Sequence, residues 1–533
     1  MTRLLGIAAA SGVLVLAAAF VGTAGAEASP KSDAHAINAG LSRAVAAGRI
    51  TQKEATAHRA TLKSARAAIA RLSSGRRLTL ARVLHLVAIQ SGGYSRPRAL
   101  ALFAMLQTNT SYLSRYGVPP TGKDVIGRDG VLYRAGWGVG LQFHPLGNAQ
   151  KLNMLLIQSK REKALRLARS LARRLVSRTS GAVLEYYFPY GGGRPPWSSG
   201  MAQAVAAQAF ARTGRRLGVP SNFVPARRAY LSIPRLTRAI DVGPWIRLYS
   251  FSRMVVLNAQ LQAALSIVDY GQIVLDPAAV GMGDRLEDAG RAALGRFDTG
   301  AWTNYTPGNE APLKYHLYHV QLAKRLADKT TLDFWVNAYA RFNRYSHEPP
   351  RFRPGPAVPT LYPWPADGFR DGTRIRFFLS KISSSVRVRA GGKTWSLGQE
   401  RRGWHSVYWR PGRREPRVYT PSVTAVDLAG NRGSAYLRAI RIAVDRTPPV
   451  VTARVEGRTL YWTAVDKTSP WVHLRVRLVR NGVVHVLELG RRPKSGSVTL
   501  RIPRGRHQAR LSVFDSSGNR TRVPLGAVPV PTA

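Results

Sequence analysis

The sequence predicts a multidomain chain: an all-α first part, then two all-β sandwiches in tandem. Three observations carry that prediction. Up to about residue 345, apolar residues recur at helical spacing and almost nowhere alternate. A proline-rich stretch, SHEPPRFRPGPAVPTLYPWP (346–365), follows and reads as a linker. Beyond it the period falls to two, and AVDLAGNR (425–432) returns as VFDSSGNR (513–520), the mark of one repeated β module.

Length and charge bound the rest. A chain of 533 residues exceeds the usual size of a single core, so several domains are expected. Lys and Arg total 80 against 28 Asp and Glu, a formal charge of +52. Such a field favours polyanions: nucleic acid, an anionic membrane surface or an acidic polysaccharide. An Arg-rich genome would raise the same number with no such partner. The chain has no cysteine, which excludes disulfides, thiolate metal sites and cysteine nucleophiles.

The amino terminus narrows the choice. Arg3, an apolar run from Leu4 through Val21, and Ala24-Gly25-Ala26 before Glu27 form the three-part pattern of a secretory signal over 1–26. The alternative is an uncleaved anchor, since the run is nearly long enough to span a bilayer; that anchor would be the sole membrane contact. Either way the protein is expected to be secreted or associated with the cell envelope. No nucleic-acid-binding motif is present, and the expected partner is an acidic, uronate-containing polysaccharide.

Residues 27–129 read as a helical N-terminal region without chemistry of its own. Ala34 to Ala47 stops at Gly48, Thr51-Gln52-Lys53-Glu54 forms a capping box opening a helix through about Leu72, and Leu78 to Gln90 closes at Gly92-Gly93. The Gly- and aromatic-rich GVLYRAGWGVGLQFHPLGN (130–148) predicts turns or short strands. A single long basic helix from about Leu146 to Ser177 is expected next, and LEYYFPY (184–190) as a short strand.

Four later blocks place aromatic or polar residues just before a helical run: Trp197-Ser198-Ser199-Gly200-Met201-Ala202-Gln203, Tyr249 followed by Val256-Leu257-Asn258, Phe297-Asp298-Thr299-Gly300 ending at Tyr305, and Tyr315-His316 with His319. Such junctions facing one cavity suit an α/α toroid; a plain helical array fits the periodicity equally well. Ser250 or Ser252 is expected to cap the helix after Tyr249, and Tyr315 and His319, four apart, share a helix face. His316 and His319 have a metal-binding spacing, but no third ligand is near. A hydrogen-bonding role is therefore read for them, and no metal or other cofactor is expected.

In order and wording these blocks resemble the C-terminal domain of the D-glucuronyl C5-epimerase family, which converts glucuronate to iduronate within heparan-type chains. The resemblance covers about residues 130–345. It implies an α/α toroid and places Tyr249, Tyr305 and Tyr315 on the family's catalytic tyrosines. Leu248 departs from the pattern, standing where the family usually has an acidic residue. The arginine that the family carries after its second tyrosine is also missing.

The reaction can be argued from chemistry alone. Inverting C5 of a uronate requires removal of a weakly acidic proton and its return on the opposite face, by a base and an acid across the ring. A tyrosine base, with a reference pKa of about 10, needs cations to lower it; Arg247, Arg253 and Lys314 are the candidates by sequence position. Tyr249 and Tyr315 read as the opposed pair with Tyr305 supporting, and which is the base stays open. Trp197, as stacking platform or core anchor, with Gln203, Asn258 and His319, completes the expected substrate contacts. A polysaccharide lyase would share the proton abstraction but expel the C4 substituent. A glycan-binding protein that lost its base is the third reading, which Leu248 favours.

The strand-rich end divides at Thr447-Pro448-Pro449 into modules over 366–446 and 447–533. Asn481-Gly482 predicts a hairpin turn between Leu474–Arg480 and Val484–Leu489. Each copy has the size and turn density of an immunoglobulin-like sandwich and resembles the Ig-like modules of many bacterial surface enzymes. The Asp-x-x-Gly-Asn turn reads as structural, with calcium binding as the alternative.

Overall fold

The computed structural model describes residues 29–412, 417–502 and 505–530. The expected signal over 1–26 lies outside them. Two compact units result: one comprises the chain up to Thr299 together with Thr303–Ala340, the other Gly300–Trp302 and Arg341 onward. Among the described residues no helix is long and apolar enough to cross a membrane.

The helices run α1 Pro30–Ala46, α2 Gln52–Arg71, α3 Ser74–Ala88, α4 Arg96–Leu113, α5 Pro145–Ile157, α6 Arg161–Ala172, α7 Gly200–Leu217, α8 Phe223–Tyr230, α9 Leu257–Val274, α10 Pro277–Ala292, α11 Leu313–Thr330 and α12 Asp333–Tyr345. Local signals set several ends. Thr51 and Glu54 form the reciprocal capping box of α2, and Gly48 takes a left-handed φ of 62° after α1. Three short strands, Asp124–Ile126, Leu132–Gly136 and Gly140–Phe143, build an antiparallel sheet before α5.

Helices α7 and α9 pack together at the centre of this unit, with α5 and α8 against α7 and α10 against α9. Both are uncharged for most of their length, and nearly every residue of α7 from Gly200 to Gly214 is buried. A helix apolar on all sides belongs in a core. Buried polar side chains there are used structurally: Gln260 accepts from the Ile246 N–H at 2.8 Å and donates to the carbonyls of Pro244 and Leu286.

Three expectations change. The long helix over 146–177 is two helices, because Ser159 adopts a left-handed φ of 53° and the Lys160 N–H turns back to the Leu155 carbonyl. LEYYFPY is not a continuous strand; Tyr186 bridges to Trp197 and Tyr190 to Gly193. Neither Ser250 nor Ser252 caps α9, which starts only at Leu257 with Val256 before it; their hydroxyls accept from the N–H groups of Ser198 and Met254 instead.

In the second unit the stretch read as a linker supplies two edge strands. Phe352–Pro354 pairs antiparallel with Thr373–Leu379, and Thr360–Leu361 pairs parallel with Ile440–Ile442. Prolines are tolerated there because an edge strand has N–H groups with no ladder partner to lose. Thr373–Leu379 also pairs with Gly403–Trp409, and a four-stranded sheet orders Lys393–Glu400, Ser383–Ala390, Ser422–Asp427 and Arg432–Tyr436. Inward residues of both sheets, among them Phe377, Trp409, Val388 and Val423, share one core. The repeat rebuilds the plan: Val450–Glu456, Thr459–Val465 and Ser495–Thr499 form one sheet. Val483–Arg492, Val472–Arg480, Gly505–Phe514 and Arg520–Val530 form the other. Arg480 pairs with Val483 across Asn481-Gly482, whose φ values of 46° and 79° both lie in the left-handed region that this turn requires.

Candidate active site

Two loops ahead of α7 and α9 are clamped together. The Ser250 N–H donates to the Ser198 carbonyl at 2.8 Å, and the Gly200 N–H to the Arg247 carbonyl at 2.8 Å. Any side chain at Gly200 would strike Ile246 and the Arg247 carbonyl, so the close approach needs glycine. The clamp sets Trp197 beside Tyr249, their rings 5.4 Å apart edge to face.

A second pairing is made by Thr303. Its hydroxyl lies 2.9 Å from Nδ1 of both His316 and His319, which ties the hairpin Asn304–Thr306/Asn309–Glu310 to α11. The rings of Tyr305 and Tyr315 consequently meet at 4.7 Å.

The structure thus brings the three predicted tyrosines together and adds a fourth, Tyr190, whose ring is 5.1 Å from that of Tyr249. The phenols of Tyr190 and Tyr305 both lie within hydrogen-bonding reach of the Tyr249 hydroxyl. Tyr305 is therefore central to the row rather than peripheral. Burial pushes the Tyr249 phenol well above its ordinary range, and the neighbouring phenols of Tyr305, Tyr190 and Tyr315 push it the same way. Tyr305 is raised likewise, first by burial and then by Tyr315 and Tyr190.

After burial, the groups acting on these two phenols are other phenols rather than the expected cations. Arg247 donates to the Ser250 carbonyl at 3.1 Å, and the Arg253 side chain is exposed. Lys314 is exposed and lies in the field of Arg134 and Asp124; partial burial, then Arg134, lowers its ammonium pKa. Arg134 is the cation that sequence position did not reveal. It is buried, pairs with both Asp124 oxygens at 2.6 and 2.7 Å, and acts on His144 and Tyr186. His144 is pushed down to about 3 by burial, then by Arg134; its Nδ1 accepts from the Gly147 N–H.

Other predicted contacts are structural. Trp197 is a buried anchor, stacked 4.1 Å from Tyr186 and donating from Nε1 to the Phe188 carbonyl. Gln203 clamps both backbone groups of Leu184. His319 is fully buried, its pKa pushed down to about 3 by burial and then by His316. Asn258 is buried in the first turn of α9, and among the described residues its Oδ1, like Nε2 of His319, has no hydrogen-bond partner. Leu248 packs with Ile246 and Val256 in the core beneath Tyr249. Tyr186, Phe188 and Tyr190 alternate along the chain, and that period of two was the signal for the missed fourth tyrosine.

Comparison with known families gives one match that includes this row. Residues 180–344 match the family model of the D-glucuronyl C5-epimerase C-terminus. The matched segment holds Tyr190, Tyr249, Tyr305 and Tyr315, and leaves Arg134 and His144 upstream of it. Over that segment the chain is similar to the C-terminal region of the glucuronyl C5-epimerases. No curated protein matches the chain. Similar solved structures include an endo-β-1,4-glucanase, CMCax from Acetobacter xylinum, at 13% identity and a TM-score of 0.29 over 44% of this chain and 78% of that one. The fibronectin(III)-like modules of Clostridium thermocellum CbhA match at 14% identity and 0.15 over 34% of this chain and 94% of theirs. The FN1–FN3 domains of chicken CNTN1 match at 14% and 0.17 over 33% and 66%.

Proposed function

We propose that the protein is an exported epimerase-like enzyme that inverts C5 of glucuronate residues in an acidic polysaccharide. The row of four tyrosines inside the segment matching the epimerase family carries this reading. One phenolate removes the C5 proton, the electron pair is held as an enolate conjugated with the uronate carboxylate, and a phenol returns a proton to the other face. A phenol held protonated at neutral pH is suited to give that proton, which assigns the acid to Tyr249 with Tyr305 beside it. Tyr315, beyond the Tyr305 ring, is read as the base. Arg134 and Lys314 supply the positive charge that offsets the substrate carboxylate and the developing enolate. In this reading the helices of the first unit continue the family's α/α toroid, the strand modules are Ig-like sandwiches that hold the enzyme at the envelope, and the first 26 residues direct export.

The test is NMR of a glucuronate polymer incubated with the protein in heavy water. Deuterium at C5 without chain breakage supports the proposal; unsaturated uronate ends identify a lyase, and no exchange in several uronate polymers sinks catalysis.

A second reading, glycan binding without turnover, is favoured by one surface. On the outer face of the Thr373–Leu379/Gly403–Trp409 ladder, Trp404 and Tyr408 stand 46% and 53% exposed. Opposite them are Phe378 and Arg374, and Arg353 lies 5.2 Å over the rings of both Phe378 and Trp404. Aromatic faces beside guanidinium groups suit sugar rings that carry carboxylates. Retention of the polymer without C5 exchange would select this reading.

A further inference from the structure

Asp427 and Asp515 hold the same place in the two repeated turns. Each N–H donates to the carbonyl of the asparagine four residues on at 3.0 Å, and each Oδ1 accepts from that asparagine's N–H at 2.8 Å. In each turn the asparagine amide also donates to a carbonyl of the chain leading into the module, Ser346 in the first and Asp445 in the second.

What faces the carboxylate differs. In the first module the loop after Thr373–Leu379 presents Lys381, 1% exposed, with Nζ 2.7 Å from Asp427 Oδ2. That ammonium also donates to the carbonyls of Tyr345 and Glu348. In the second module the corresponding loop, after Thr459–Val465, presents Asp466, and the leading chain adds Asp445. One carboxylate oxygen from each of Asp445, Asp466 and Asp515 lies within 4.8 Å of the others. Asp445 and Asp515 are 5% and 3% exposed. The Oδ2 atoms of Asp445 and Asp466 are buried and accept no hydrogen bond among the described residues.

Among the described residues no Lys or Arg pairs with these three carboxylates. Lys467 is exposed, and Lys494 gives its bond to the Asp466 carbonyl oxygen. Three carboxylates that converge in this way, two of them with a buried oxygen that no hydrogen bond reaches among the described residues, form a ready set of donors for a cation. The donors are all hard oxygens, and twice a calcium–oxygen distance is about 4.6–5.2 Å, enough for one ion to touch all three.

We propose that Asp445, Asp466 and Asp515 form a calcium site in the second β module, the ion taking the place that the Lys381 ammonium takes in the first. The site is independent of the reaction proposed above. It is tested on the full chain, stripped with chelator and titrated with calcium chloride by calorimetry, with thermal unfolding followed in parallel. The expected result is uptake of one calcium and a rise in the unfolding midpoint, with magnesium binding at least tenfold more weakly. Asp466→Asn, which keeps an oxygen to accept the loop hydrogen bonds, and Asp445→Asn are each expected to weaken uptake at least tenfold. Asp466→Lys restores the ammonium of the first module and is expected to be as stable in chelator as the parent is in calcium, with no calcium response. No uptake by the parent, or uptake unchanged in both asparagine variants, overturns the site. Equal magnesium affinity overturns the calcium assignment.

Discussion

The tyrosine row of the helical unit and the first Asp turn of the strand unit bury titratable groups in opposite states. In and around the row the phenols of Tyr249 and Tyr305 and the imidazoles of His144 and His319 are neutral, although the same unit also buries the Arg98–Glu185 ion pair. In the strand unit the Lys381–Asp427 pair is buried and charged, and satisfied through ionic contact. A neutral buried phenol keeps a proton that it gives up only to a strong base, whereas a buried ion pair is held by the mutual attraction of its charges.

The largest expected effect is on turnover. Tyr249→Phe should lower C5 deuterium exchange by at least about a hundredfold while leaving the unfolding midpoint close to the parent's, since only a hydroxyl is removed. Equal exchange in the variant would show that the neutral phenol row is packing, and the contrast between the units would collapse. Next is Lys381→Met, which leaves Asp427 buried and unpaired and should cost roughly 3–5 kcal/mol in denaturant unfolding of the strand unit. If Lys381→Met with Asp427→Asn does not recover part of that loss, the pair is not what the ammonium serves.

Acid should separate the units more gently. His144 and His319 stay neutral in the fold down to about 3, while in the unfolded chain they protonate near 6.5. The unfolded state therefore binds more protons below that value. Their contribution is complete above about pH 6.5 and shrinks as pH falls, by roughly 1.4 kcal/mol per unit for each ring. Far-ultraviolet ellipticity at 222 nm, a helix signal, should show a falling thermal midpoint between pH 7 and 4; a flat profile would mean the rings are not held neutral. The smallest change is Trp404→Ala, expected to alter stability by less than about 0.5 kcal/mol because the ring is half exposed. Affinity electrophoresis in a uronate polymer should nonetheless register reduced retardation, and unchanged mobility would remove the second functional reading.

Local signals in the sequence were the dependable ones. The α2 capping box, the Gly48 stop and the Asn481-Gly482 turn are each specified by a few adjacent residues, and the structure has all three. The break at Ser159 was hidden because QSKRE offers neither glycine nor proline, and a serine rarely takes a left-handed φ. The edge strands within 346–365 were hidden by their prolines and by partners that lie far along the chain, at Thr373–Leu379 and Ile440–Ile442. At the site, Tyr249, Tyr305 and Tyr315 were indicated by the resemblance of four ordered blocks to the epimerase family, since an aromatic residue ahead of a helix is by itself an ordinary packing feature. Arg134 was missed since nothing in its neighbourhood shows that folding brings it to His144 and Tyr186. Arg247 and Arg253 were chosen for nearness in sequence, which says nothing about where a long side chain ends.

The Thr303 hydroxyl has one proton to give and two lone pairs to accept with, so it can donate to at most one of the two Nδ1 atoms beside it. At least one of His316 and His319 therefore carries its hydrogen on Nδ1, and a single oxygen ties the tautomers of the two rings together. The hairpin bearing Tyr305 and the helix bearing Tyr315 are thus joined through one hydroxyl, and a serine at position 303 would preserve that junction where a valine would erase it.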